Sequence, residues 1–171
     1  MQLQDLYSIV VTDKLQECQD FYTRWFGFQI GFASSWFVYL IAENRAENSA
    51  ENSAENHSPA QALHDRPFGL ALMSTDHPSA PPGPERFNGK GMCLEFQVAD
   101  AAAEYERLRE AGLAIAYPLK DEPWGQRRFG VCDPTGVWID IVQQIAPLPG
   151  YWEPYTRTEK ACTEKGTDDR L

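Results

Sequence analysis

The sequence predicts an α+β protein built of two tandem βαβββ modules. Apolar patterning runs strand, helix, strand, strand, strand, and then repeats that order. The helix starts echo one another: Val11-Thr12-Asp13 opens a helical pattern closed by Gly27, and Val98-Ala99-Asp100 opens one closed by Gly112. Between the two runs, residues 76–91 carry Pro78, Pro81, Pro82 and Pro84 with Gly83, Gly89 and Gly91, the punctuation of a linker. The expected division is a first module over 1–75 with an insertion at 43–66, a linker over 76–91, a second module over 92–145 and a C-terminal tail over 146–171.

In the first module, residues 6–12 (LYSIVVT) are β-branched and apolar and read as a strand. Asp13 then stands where a helix cap is needed, and Leu15, Cys18, Phe21, Tyr22 and Trp25 recur at helical spacing. Gly27 follows as a C′ glycine. Strands are expected near 28–33 and 36–42, and again over 68–74 (FGLALMS). The intervening residues 43–66 repeat Ala-Glu-Asn every four residues, spacing Glu43, Glu47, Glu51 and Glu55 alike. As a helix they would stack four like charges on one face with no apolar stripe, so a solvated insertion is expected.

In the second module, residues 92–98 (MCLEFQV) alternate as a half-buried strand, and Asp100 caps a helix whose Tyr105, Leu108 and Ala111 share one face. Strands are expected near 113–119, 127–132 and 137–143, the last two joined by the turn Asp133-Pro134-Thr135-Gly136. Asp133 at the turn start reads as a cap for its own backbone. The tail loses periodicity from Pro147, and its last ten or so residues read as frayed.

Composition excludes several functions. Lys and Arg number 15 against 25 Asp and Glu, a net charge of −10, which repels phosphate backbones and argues against nucleic acid as a partner. The longest apolar run, Trp36 to Ala42, is far shorter than a membrane span. The N-terminus MQLQDLYS has neither a basic nor an apolar region of a secretory signal, so a cytoplasmic protein is expected. Cys18, Cys93, Cys132 and Cys162 form no C-x-x-C pair and read as free thiols. No G-x-S-x-G, H-E-x-x-H, Walker loop or G-x-G-x-x-G is present. Cys93 has no histidine base to make it a nucleophile, since His57, His64 and His77 all fall in the insertion or linker and read as exposed loop residues.

Asp13, Phe21-Tyr22 and Trp25-Phe26-Gly27-Phe28 in the first module, with Asp121-Glu122-Pro123-Trp124-Gly125-Gln126-Arg127, Phe129 and Asp133-Pro134-x-Gly136 in the second, resemble the vicinal oxygen chelate superfamily. That superfamily includes glyoxalase I, extradiol dioxygenases and bleomycin-resistance proteins, and the second module is most similar to the bleomycin-resistance-like members. The resemblance covers roughly residues 5–145. It implies a curved mixed sheet around a central cavity, helices on the outer face, and a homodimer.

The family's enzymes hold a divalent metal with His, Glu or Gln on the first and last strand of each module. Carried over singly, those positions fall among Leu6–Ile9, among Leu70–Ser74, at Cys93 and at Asp140, which gives one hard donor and one soft one. No metal, no cofactor and no catalytic residue are therefore expected.

Strand alternation puts Cys93, Glu95 and Gln97 on one face with Trp138, Asp140 and Val142. Carboxylates beside indoles attract flat or cationic ligands. Trp36, Tyr39, Cys93, Glu95, Trp124, Arg128, Trp138 and Asp140 are the candidate ligand-binding residues, and Glu95 is equally read as the partner of Arg127 or Arg128. The expected function is metal-independent binding of an aromatic or cationic small molecule. The alternatives are a metal-dependent lyase, isomerase or dioxygenase with an atypical site around Asp140, Glu95 and Cys93, and an interaction domain with a filled cavity.

Overall fold

The computed structural model describes residues 6–42, 68–78 and 85–155. The insertion at 43–66 with His57 and His64, part of the linker, and the tail beyond 155 with Cys162 lie outside them. The elements run β1 (Ser8–Thr12), α1 (Leu15–Phe26), β2 (Gln29–Ala33), β3 (Phe37–Ala42) and β4 (Phe68–Ser74), then β5 (Cys93–Gln97), α2 (Ala101–Glu110), β6 (Tyr117–Glu122), β7 (Gln126–Cys132) and β8 (Trp138–Gln144).

The duplication read from the sequence is present in the hydrogen bonding. The eight strands form two four-stranded mixed sheets, ordered β1-β4-β3-β2 and β5-β8-β7-β6, which are not closed into one. In each, the module's first strand pairs parallel with its last, Ser8 opposite Leu70 and Cys93 opposite Trp138, and the other pairings are antiparallel.

One face of each sheet lies under a helix. Val10, Val38, Leu40, Leu70 and Leu72 pack with Cys18, Phe21 and Tyr22 of α1, while Phe129, Val131, Ile139 and Ile141 pack with Leu108 of α2. The two sets form one cluster. Phe96 of β5 joins them, its ring centroid 5.1 Å from that of Phe26 and 5.9 Å from that of Phe28.

A polar tie crosses the same interior. Asp133 is 4% exposed, and its Oδ1 accepts from Thr135 N at 2.8 Å, Thr135 Oγ1 at 2.7 Å and Val137 N at 2.9 Å. These bonds hold the β7–β8 turn, as expected of an aspartate at its start. Its Oδ2 accepts from the Tyr22 hydroxyl of α1 at 3.0 Å. Lys14 Nζ also donates to the Pro134 carbonyl at 2.8 Å.

Asp100 caps α2 as expected, accepting from Ala102 N at 2.9 Å and Ala103 N at 3.0 Å. Gly27 closes α1 in the left-handed region at φ 69°. Asp13, expected to cap α1, does not: the Thr12 hydroxyl oxygen accepts from Lys14 N at 2.9 Å, and the Asp13 carboxylate pairs with Arg86 at 2.9 Å. The strand expected over 113–119 begins at Tyr117, because Leu113 N still closes α2 on Leu108 O at 3.0 Å. Leu113 and Ile115 pack on the core from an extended connection, so their alternation marks burial rather than ladder pairing. No helix among the described residues is long and apolar enough to cross a membrane.

Candidate functional site

The helix-free face of the second sheet carries most of the residues singled out in the sequence. Alternation in β5 leaves Cys93, Glu95 and Gln97 exposed and turns Leu94 and Phe96 toward the core. Register sets Glu95 beside Asp140 and Cys93 beside Trp138, so all four share the face away from α2. Gly130 of β7 pairs with Asp140, and Arg128 with Val142, which brings both onto that face.

Gly130 is what lets Trp138 lie down. A Cβ at that position would run into the indole, with Cη2 at 2.9 Å and Cε2 at 3.0 Å. The ring therefore lies across bare backbone and presents its other side outward.

Arg128 is the centre of the polar network. Its Nη1 donates to Asp140 Oδ1 at 2.8 Å, and its Nε donates to Glu122 Oε1 at 3.2 Å. The Tyr117 hydroxyl donates to the same Glu122 oxygen at 2.8 Å. The guanidinium carbon lies 4.9 Å from the Tyr117 ring and 5.3 Å from the Trp124 ring, within cation–π range of both. Partial burial alone would lower the Arg128 pKa, but the Asp140 and Glu122 carboxylates outweigh it and the net shift is upward. Glu122 itself is 6% exposed, a buried carboxylate paired with this guanidinium.

Glu95 is not paired with either arginine. Arg127 goes to Asp121, with Nε to Oδ1 at 2.6 Å, and Arg128 goes to Asp140 and Glu122, the nearer carboxylates along and across its own hairpin. Glu95 Oε1 instead accepts two long amide bonds, from Gln97 Nε2 and Gln126 Nε2, each 3.4 Å. Gln126 Oε1 in turn accepts from the Trp124 indole at 2.7 Å. Glu95, Trp124, Arg128 and Asp140 thus belong to one network, with Trp138 and Cys93 in the adjoining row.

Trp36 and Tyr39 sit on the first sheet. Trp36 remains in the turn before β3, where its carbonyl accepts from Ser74 N at 2.7 Å. Tyr39 lies on the helix-free face of that sheet, its ring 5.0 Å from that of Tyr7. That face is apolar where the second is charged: Ile9 and Phe32 also line it and are 43% and 57% exposed.

Sequence reasoning missed Tyr117, Glu122, Gln126 and Gly130, and also the residues that follow β8. Leu148 N donates to Pro123 O at 2.9 Å, Ile145 N to Gly125 O at 2.9 Å, and the Trp152 indole to Trp124 O at 3.1 Å. The Tyr151 ring lies 6.4 Å from that of Trp124. Residues 145–152 therefore form a strap clamped on the Trp124 turn. The cluster Tyr151-Trp152…Tyr155 was its only sequence signal.

The metal implied by the family resemblance does not fit these residues. Among those described, no three His, Cys, Asp or Glu side chains converge, and Asp140, the one hard donor at an expected ligand position, already accepts from Arg128. His77, in the described part of the linker, is half-buried and lies in the turn after β4, its N–H donating to Ser74 O.

No curated protein matches the chain. Solved structures share the fold. A glyoxalase/bleomycin resistance protein/dioxygenase from Nocardioides is 19% identical with a TM-score of 0.59, over 88% of this chain and 90% of its own. A virulence protein from Salmonella typhimurium is 14% identical with a TM-score of 0.58, over 85% and 100%. A lactoylglutathione lyase from Agrobacterium tumefaciens is 14% identical with a TM-score of 0.53, over 83% and 95%. The family model described as glyoxalase/bleomycin resistance protein/dioxygenase superfamily matches residues 5–141. With the duplicated sheet topology and that match over most of its length, the chain belongs to the glyoxalase/bleomycin resistance protein/dioxygenase superfamily.

Proposed function

We propose that this chain is a metal-independent small-molecule binding protein of the bleomycin-resistance type, holding a flat aromatic or cationic compound against the helix-free face of its second sheet. The observation that carries this reading is the Arg128 network. It commits Asp140 and Glu122 to an internal cation, while Trp138 lies across Gly130 with a ring face outward and Glu95 stands exposed in the next row. Such a surface offers stacking and charge, worth about 0.5–2 kcal/mol for each cation–π contact. Among the described residues it offers no set of donors for a Lewis acid. The protein acts as a homodimer in this proposal, supported by the exposed apolar Ile9 and Phe32 on the first sheet.

Tryptophan fluorescence titrated with bleomycin tests the binding role. Saturable quenching that survives dialysis against EDTA and is lost in Trp138→Ala is the expected result. No quenching by bleomycin or by a planar organic cation such as proflavine removes the proposal. Binding that returns only with added Fe, Zn, Ni or Mn replaces it with the metal-dependent enzyme. Sedimentation equilibrium tests the dimer.

A further inference from the structure

The charges on the face of the second sheet do not act equally, and the geometry points to Glu95 as the single carboxylate that selects a ligand by charge, favouring a planar ring bearing one positive charge. This rests on the binding role proposed above and narrows it to one class of ligand.

The argument is a charge balance. Two carboxylates, Glu122 and Asp140, meet two cations: Arg128 bonds both, and Lys120 Nζ lies 4.0 Å from Glu122 Oε2. Their fields largely cancel a few ångströms away. Among the described residues Glu95 meets no cation, only two amide donors at 3.4 Å that orient its Oε1 without neutralising it. It therefore carries the net charge of the cluster.

Position supplies the second half. Glu95 lies opposite Asp140, and Trp138 is two residues before Asp140 on the same strand, so Glu95 and Trp138 are diagonal neighbours on one face. The Trp138 indole leans over Gly130 on the β7 side of β8, and Glu95 stands on the β5 side with its Oε1 turned toward Gln126 of β7. A planar cation lying on this face has the Trp138 ring to stack on and Glu95 as the exposed carboxylate that attracts its charge. The helix-free face of the first sheet supplies no competing charge among the described residues named on it, Ile9, Phe32 and Tyr39.

The experiment compares proflavine, a singly charged planar cation at neutral pH, with acridine, a neutral ring system of the same shape, by tryptophan quenching of the full-length protein. The wild type is expected to bind proflavine roughly two- to fivefold more tightly, the size of one exposed charge contact. Glu95→Gln, which keeps the size and the amide contacts, is expected to abolish that preference and leave acridine unchanged. In roughly 1 M salt the wild-type preference is expected to shrink toward unity as screening shortens to about 3 Å. Equal binding of the two probes by the wild type, or a preference that survives Glu95→Gln, overturns the assignment while leaving the binding role standing. No quenching by either probe overturns both.

Discussion

Replacing Tyr22 by Phe removes one oxygen atom from the middle of the protein and isolates the bond that ties the two modules. The ring's neighbours remain: its centroid is 5.4 Å from that of Phe21 and 5.7 Å from that of Phe28. What is lost is the donor to Asp133 Oδ2 at 3.0 Å, and among the described residues no other donor reaches that oxygen. A hydrogen bond to a charged acceptor contributes about 1.5–3 kcal/mol, and the carboxylate left behind is buried. A destabilisation of about 2 kcal/mol follows, or a fall in Tm of roughly 4–8 °C for a chain of this length. Differential scanning calorimetry at pH 7 reads it directly.

Alkaline pH supplies an independent check. Burial, then the Asp133 charge, pushes the Tyr22 hydroxyl well above its usual 10.0, so in the folded state it stays protonated while an unfolded tyrosine ionises. Stability from this group is complete below pH 10 and is lost above it, at up to about 1.4 kcal/mol per pH unit. Tyr22→Phe lacks that component, so the gap between variant and wild type narrows as the pH climbs past 10. A Tm within about 1 °C of wild type, or a gap that stays constant to high pH, refutes the inter-module bond as a source of stability.

Arg128→Met leaves half-buried Asp140 without its cation and buried Glu122 with only Lys120 at 4.0 Å, and is expected to cost about 3 kcal/mol in urea unfolding. Gly125→Ala meets both a φ of +104° and the Ile145 carbonyl, 2.9 Å from the new Cβ. It is expected to lower stability by about 1–3 kcal/mol and to shift tryptophan emission as the strap on Trp124 loosens. The Cys18 thiol is pushed up from 9.0 to about 12 by burial first and by Asp133 next. Iodoacetamide mapping of the native protein should therefore label Cys93 and Cys132, which are exposed, and spare Cys18 until the chain unfolds.

Much of the fold was readable because local signals and the duplication agreed. Gly27, Gly112 and Asp100 mark helix ends by backbone conformation or a short-range cap, which a single sequence displays. Asp13 shows the opposite case: α1 starts one residue later, with Lys14 at its N-cap position and no side-chain cap, and the Asp13 carboxylate pairs with the distant Arg86 instead. The faces of β5 and β8 follow from period-two alternation, which alone puts Glu95 and Asp140 on one face.

Which cation each carboxylate takes did not follow. Arg127 and Arg128 are adjacent and point to opposite faces, and their partners Asp121 and Glu122 lie across a hairpin whose register the sequence does not state. The strap after β8 was invisible to periodicity, since it is held by single backbone bonds and one indole rather than by a repeating pattern.

The interlock of Tyr22 with Asp133, Lys14 with Pro134 and Phe26 with Phe96 has a bearing on how the gene can be cut. Although each repeat carries its own four-stranded ladder, neither has a finished interior without the other. Severed anywhere in 79–84, the polypeptide should yield two sticky pieces that recover a native spectrum only when mixed, so the repeats have become complementary fragments of one molecule rather than two copies of an autonomous unit.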